Sequence, residues 1–101
     1  MLFANSPSLF GQTTKAKTSK GHAITIAWSR SKSLVKGYYV YRVMPSGGPP
    51  ARLTRRPITE AVYRDNGVLG GKTYEYYVTA VDAKGRESKP SNRVTAKVPA
   101  P

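Results

Sequence analysis

Apolar and polar residues alternate along several short stretches of this chain with a period of two. In residues 22–29, Ile24, Ile26 and Trp28 fall on one side of the chain and polar or small residues fall on the other. Side chains of a β-strand point alternately to its two faces, so this pattern predicts a strand with one face buried.

Residues 37–44 and 73–82 give the other two clear predictions of strands. The first is dense in tyrosine and valine, which favour a pleated surface. The second is the longest predicted strand, and it alternates Tyr74, Tyr76, Val78 and Ala80 against Glu75, Tyr77, Thr79 and Val81. Shorter strands are predicted within residues 12–17, 51–55, 60–64 and 94–98.

Turn-forming residues separate these stretches, and no stretch has the helical period. Residues 45–50 combine prolines with two glycines, which end both helices and central strands. Short strands spaced by about 8 to 12 residues predict an all-β antiparallel sandwich, whose two sheets bury their apolar faces against each other. The side chains predicted to fill the space between the sheets include Trp28, Tyr38, Val40, Tyr74 and Tyr76.

The composition restricts what else the chain can be. A length of 101 residues suits one domain, and with no cysteine there is neither a disulfide nor a thiolate site. No apolar run approaches the roughly 18 residues needed to cross a bilayer. We predict a mostly irregular segment at residues 1–19 that contains part of the first strand, a domain at 20–99, and a proline-rich tail at 100–101.

The titratable side chains offer little for catalysis. Glu60 and Asp65 fall near one predicted strand and Asp82 and Glu87 around a turn, so the spacing brings no two carboxylates together for acid–base chemistry. Asp65 is interpreted as a turn residue that caps its own backbone. His22 is the chain's single histidine and does not by itself make a metal site. We therefore expect no enzyme activity, no catalytic residues, no metal and no cofactor.

In this order and spacing, the motifs resemble the fibronectin type III domain, and more closely its bacterial secreted members. The resemblance covers about residues 20–99 and rests on the tryptophan of 24–28, the run 37–42 and the stretch 68–74. The last stretch resembles a tyrosine corner, in which Tyr74 hydrogen-bonds the backbone a few residues upstream. The family implies an immunoglobulin-like sandwich of seven antiparallel strands, with strands A-B-E in one sheet and C′-C-F-G in the other.

The resemblance also implies a function. It predicts a non-enzymatic module that acts as an extracellular or cell-surface interaction and spacer domain, with other domains or proteins as partners. The stiff, extended residues 99–101 fit a spacer. The turn at 82–88 contains no Arg-Gly-Asp, so the integrin binding of certain animal members is not expected.

The formal net charge of +12 supports an alternative function, the binding of an acidic polysaccharide or another polyanion. The candidate face combines outward tyrosines with cations: Tyr39, Tyr41, Tyr77, Arg93 and Lys97, with Arg52 or Arg55 beside them. Two other interpretations of this face remain: cross-strand pairs that only stabilise the sheet, or packing against another domain or subunit. A self-assembling structural subunit is a third function. Nucleic acid is disfavoured, because no helix is available to enter a groove and the resemblance points outside the cell.

Overall fold

The computed structural model describes residues 15–19, 22–32, 34–44 and 46–100. These ranges form seven strands, which in chain order are β1 (Lys15–Ser19), β2 (Ala23–Ala27), β3 (Gly37–Val43), β4 (Ala51–Arg52), β5 (Val62–Asp65), β6 (Thr73–Val81) and β7 (Val94–Lys97). The described ranges contain no helix, and so none that could span a membrane.

The strands form two antiparallel sheets, one of order β1-β2-β5 and the other of order β4-β3-β6-β7. This arrangement confirms the predicted all-β sandwich, and its strand order is the one that the resemblance implied.

Three short strands differ most from their predicted bounds. The strand predicted at 51–55 ends at Arg52. Leu53 still donates its N–H to the carbonyl of Val40 at 2.8 Å, but the N–H of Val40 donates to the Thr54 hydroxyl rather than to a backbone carbonyl, so the regular ladder stops. Ile58 then rejoins β3 through an isolated bridge to Tyr38. The strand predicted at 60–64 is shifted to 62–65. The first strand reaches Ser19 and pairs along its whole length with β2, so residues 15–19 belong to the sandwich rather than to an irregular segment. Residues 12–14 of the predicted strand lie outside the described residues.

The core lies between the sheets and is built around aromatic rings from both. Trp28, directly after β2, meets Tyr38 of β3 edge to face, with the ring centroids 5.5 Å apart. Tyr74 and Tyr76 of β6 are buried towards the other end of the sheet, since Tyr76 is opposite Arg42 whereas Tyr38 is opposite Ala80; Val40 is fully buried. The buried core residues are Ile24, Ile26, Trp28, Tyr38, Val40, Val68, Tyr74, Tyr76, Val78, Ala80, Ala96 and Val98. The exclusion of this apolar surface from water supplies the main driving force for the sandwich.

Two buried tyrosines also hold loops through their hydroxyl groups. The backbone N–H of Leu69 donates to the Tyr74 hydroxyl at 2.9 Å, which is the contact expected of a tyrosine corner. The N–H of Ser31 donates in the same way to the Tyr38 hydroxyl at 2.8 Å. Each ring is thus anchored in the core and satisfies a backbone donor of the link that passes over it.

Two side chains on the outer side of β6 are buried, although alternation predicted them to face solvent. Thr79 and Val81 are only 4% and 1% exposed. The turn after β6 folds back onto the strand, since Glu87 forms an isolated bridge with Val81 and the Thr79 hydroxyl donates to the Glu87 carboxylate at 2.7 Å. The end of β6 is therefore covered on both faces.

An ion pair between a buried carboxylate and a half-buried arginine, which the sequence analysis did not predict, connects the two sheets. Asp65 of β5 is 4% exposed, and its carboxylate accepts hydrogen bonds from Arg42 of β3 at 2.8 and 2.9 Å and from the Tyr76 hydroxyl of β6 at 2.7 Å. The N–H of Gly67 also donates to it at 2.9 Å, which is the turn role that was expected. Burial and the bond to Asp65 raise the pKa of Tyr76, so this hydroxyl stays a donor. Asp65 is thus a link between sheets as well as a turn residue.

We expect the substitution Asp65→Ala to lower the free energy of unfolding by about 3 to 5 kcal/mol, because it leaves the half-buried Arg42 guanidinium without its carboxylate and the buried Tyr76 hydroxyl without its acceptor. Urea denaturation followed by tryptophan fluorescence measures this. The exposed pair Arg93–Glu75 is the matched control, and Glu75→Ala should cost less than about 1 kcal/mol. Equal losses for the two variants would contradict a structural role for the buried pair.

Candidate functional site

The outer face of the β4-β3-β6-β7 sheet carries the candidate residues. Tyr41 of β3 is directly opposite Tyr77 of β6, and Tyr39 is opposite Thr79. The rings of Tyr41 and Tyr77 are stacked, with centroids 4.8 Å apart and planes 12° from parallel. The alternation of β3 and β6 predicted this grouping, because directly opposed residues of antiparallel strands share a face.

Two arginines extend the row of rings towards both edges of the sheet. Arg52 of β4 places its guanidinium 4.2 Å from the centroid of Tyr39, and Arg93, just before β7, lies 5.3 Å from the centroid of Tyr77. Cation–π contacts of this exposed kind are worth about 0.5 to 1 kcal/mol each. We call the five residues Arg52, Tyr39, Tyr41, Tyr77 and Arg93 the tyrosine strip.

Two carboxylates hold the tyrosine strip in place. Glu87 accepts a hydrogen bond from the Tyr41 hydroxyl at 2.5 Å as well as the one from Thr79. Glu75 pairs with Arg93 at 3.2 Å. The two negative charges offset those of Arg52 and Arg93, so the strip itself is close to neutral although the chain carries a net charge of +12.

The stacking of the strip limits what it can bind. Tyr41 and Tyr77 cover each other, and guanidinium groups lie against Tyr39 and Tyr77. A flat ligand that stacks on rings, such as a sugar or a base, would have to displace an arginine or use the ring edges. The geometry therefore favours the interpretation in which cross-strand pairs stabilise the sheet.

Two cations considered for this face lie away from the tyrosine strip, Lys97 further along the same outer face and Arg55 at a crevice. Lys97 is opposite Thr73, four residues along β7 from Arg93, which is about 13 Å in an extended strand. Arg55 follows β4 and lines an open crevice with Tyr63 of the other sheet. The structure thus brings together Tyr39, Tyr41, Tyr77 and Arg93 with Arg52, and leaves out Lys97 and Arg55.

The environment changes the acidity of several groups. Burial, followed by the bond to Glu87, raises the pKa of Tyr41 to about 12. Burial also raises the pKa of Tyr77. At the turn after β6, the backbone N–H of Arg86 is the main cause of a lowered pKa of Asp82, which also accepts from the N–H of Lys84 and the side chain of Arg86.

These contacts use most of the carboxylates for structure. Asp65 binds Arg42, Asp82 binds Arg86, and Glu87 binds two hydroxyls. Glu60 is exposed, and His22 is in the turn before β2 with a left-handed φ of 59°. Among the described residues, no three His, Asp or Glu side chains come together as a metal site would require.

A comparison with solved structures identifies the fold. The crystal structure of an Fn3-like protein from Clostridium thermocellum superposes with a TM-score of 0.77 at 28% identity, and the match covers 94% of this chain and 96% of that one. The chain has the fibronectin type III fold. No protein-family model matches the sequence.

The fibronectin type III chain is also similar to part of two curated enzymes. It is 38% identical over 93 residues to a poly(3-hydroxybutyrate) depolymerase of Ralstonia pickettii, and 37% identical over 82 residues to an amylopullulanase of Thermoanaerobacter thermohydrosulfuricus. The matches cover 85% and 81% of this chain but 17% and 5% of the two enzymes. The domain is therefore homologous to a small segment of each.

The raised pKa of Tyr41 predicts a stability change in alkali. Since folding favours the protonated phenol, its stabilising contribution is complete below pH 10, the ordinary pKa, and is lost as the pH rises towards about 12. Tyr41→Phe removes the hydrogen bond to Glu87, so near neutrality this variant should be less stable than the natural chain by about 1 kcal/mol. That gap should close between pH 10 and 12. Urea denaturation at several pH values measures it, and a gap that stays constant would contradict the contact with Glu87.

Proposed function

We propose that this chain is a non-catalytic fibronectin type III module that acts outside the cell as an interaction and spacer domain of a larger protein. The observation that carries the proposal is that most of the chain matches a small segment of two enzymes named for different polymers, a polyester and a polysaccharide. A segment common to both is not where their different chemistries are determined. A polymer too large to enter a cell is also degraded outside it, which supports the extracellular setting.

The geometry of the strands supports a spacer. The first strand begins at Lys15, opposite the last residue of β2, whereas the last strand ends at Lys97, opposite the first residue of β6. Because β2 ends and β6 begins at opposite ends of the sandwich, flanking chain on the two sides would leave in opposite directions. Such a module separates its neighbours by the length of one domain.

A second candidate function is the binding of an acidic polysaccharide or another polyanion through the tyrosine strip. Two arginines beside half-buried aromatic rings favour it. Glu75 and Glu87 on the same face count against it, since they would repel the ligand. We propose no self-assembling function, because copies that carry a net charge of +12 repel each other.

An acidic polysaccharide column with a salt gradient distinguishes the spacer from the polyanion binder. For the spacer, the chain elutes below about 0.2 M salt, as expected of diffuse charge alone. Tyr39→Ala leaves that elution unchanged. Arg93→Ala shifts the elution no more than Lys36→Ala, which removes another exposed cation. Earlier elution of Tyr39→Ala, which alters no charge, would establish the tyrosine strip as a binding site and contradict the spacer proposal.

A further inference from the structure

The outer edge of β5 is an unpaired sheet edge beside a crevice. β5 is the last strand of its sheet and pairs, among the described strands, with β2 alone. The N–H of Trp28 donates to the carbonyl of Ala61 in continuation of this ladder. Since hydrogen-bonded and non-hydrogen-bonded pairs alternate in antiparallel sheets, the backbone groups of Val62 and Arg64 point away from β2. Two donors and two acceptors of the edge therefore face outward.

The crevice next to this edge has room for a short extended chain. It lies between Tyr63 of β5 and the segment after β4, and it has a volume of about 700 Å³. Its lining includes the half-buried side chains of Tyr63, Pro57 and Ile58. An added strand would turn alternate side chains towards these apolar groups, as strands of a sandwich do.

Arginines surround the crevice and the edge. Arg55 and Arg56 lie on its β4 side, and Arg64 is on β5 itself; all three are exposed. None of them is in an ion pair within the described residues; Arg64 instead donates from Nε to the Asn66 side chain at 3.1 Å. The acid that precedes the strand, Glu60, is exposed and contributes one opposing charge. Cations of this kind prevent a second copy of the chain from pairing with the edge, but they attract an acidic strand.

We propose that the β5 edge binds an extended acidic peptide segment, which adds to the β1-β2-β5 sheet as a fourth strand. Main-chain hydrogen bonds to Val62 and Arg64 hold the segment, and its acidic side chains lie on the outer face beside Arg64, while Arg55 and Arg56 at the crevice add to the attraction for an acidic chain. Its alternate apolar side chains enter the crevice. This mode, in which backbone bonds give affinity and alternate pockets give specificity, is strand addition.

The test uses a fluorescent peptide of about eight residues in which valine and glutamate alternate, a length typical of strands. Binding to the whole chain is measured by fluorescence anisotropy, and protection of the Val62 and Arg64 amides by hydrogen exchange. We expect Arg64→Glu to weaken binding by about tenfold or more. The matched control is Lys89→Glu, which makes the same charge change at an exposed residue before β7, the edge strand of the other sheet. This variant should weaken binding less than about threefold.

Two control peptides separate strand addition from charge attraction. A peptide with lysine in place of glutamate should not bind. A peptide N-methylated at alternate residues keeps its charge but loses the ladder donors, and should also fail to bind. Equal binding of the N-methylated peptide, equal effects of Arg64→Glu and Lys89→Glu, or the absence of binding by the valine–glutamate peptide would each overturn the proposal.

Discussion

The carboxylate of Asp65 joins the two sheets, and its burial constrains much of the chain around it. With no cysteine, the sandwich has no disulfide between its layers. Asp65 reaches from β5 to Arg42 and Tyr76 of the other sheet, and Gly67 closes the turn over it. Removal of a charge from water is costly unless partners replace the water. The ends of β3, β5 and β6 must therefore meet at this point. This contact fixes how the two sheets are aligned, which the apolar core alone would not do.

The two faces of the β4-β3-β6-β7 sheet have different roles, because only the inner face packs against the other sheet. Its inner face is determined by Trp28, Tyr38 and the other core side chains, which tolerate little change in volume. Its outer face does not contribute to that core, so its composition can vary without loss of the fold. The stacked Tyr41 and Tyr77 nevertheless form an ordered surface, because Glu87 and Arg93 hold their positions. An ordered row of rings is thus explained by the stability of the sheet before any ligand is considered.

The fold could be predicted from the sequence because the alternation of apolar and polar residues along a strand can be recognised from neighbouring positions alone. It identified β2, β3 and β6, and it placed Tyr39, Tyr41 and Tyr77 on one face. Arg42 is two residues after Val40 and so falls on the inward side of β3, a signal for a buried partner that the sequence analysis did not use. The identity of that partner could not be predicted, because Asp65 is distant in sequence and looks like an ordinary turn residue. Burial of Thr79 and Val81 was missed for the same reason, since it depends on how the following turn folds back.

The net charge of +12 belongs to the whole molecule and is unevenly distributed over it. Four of the five acidic residues are engaged: Asp65 is buried with Arg42, Asp82 is bound within its own turn, and Glu75 and Glu87 hold the tyrosine strip. The fifth, Glu60, is exposed before β5. Unpaired cations are consequently found away from that strip, at Arg55, Arg56 and Arg64 among other positions. The total charge determines how strongly a polyanion is attracted from a distance. The positions of the few carboxylates determine where it can make contact. For this reason the tyrosine strip is a less favourable contact site for a polyanion than the surface around Arg55, Arg56 and Arg64.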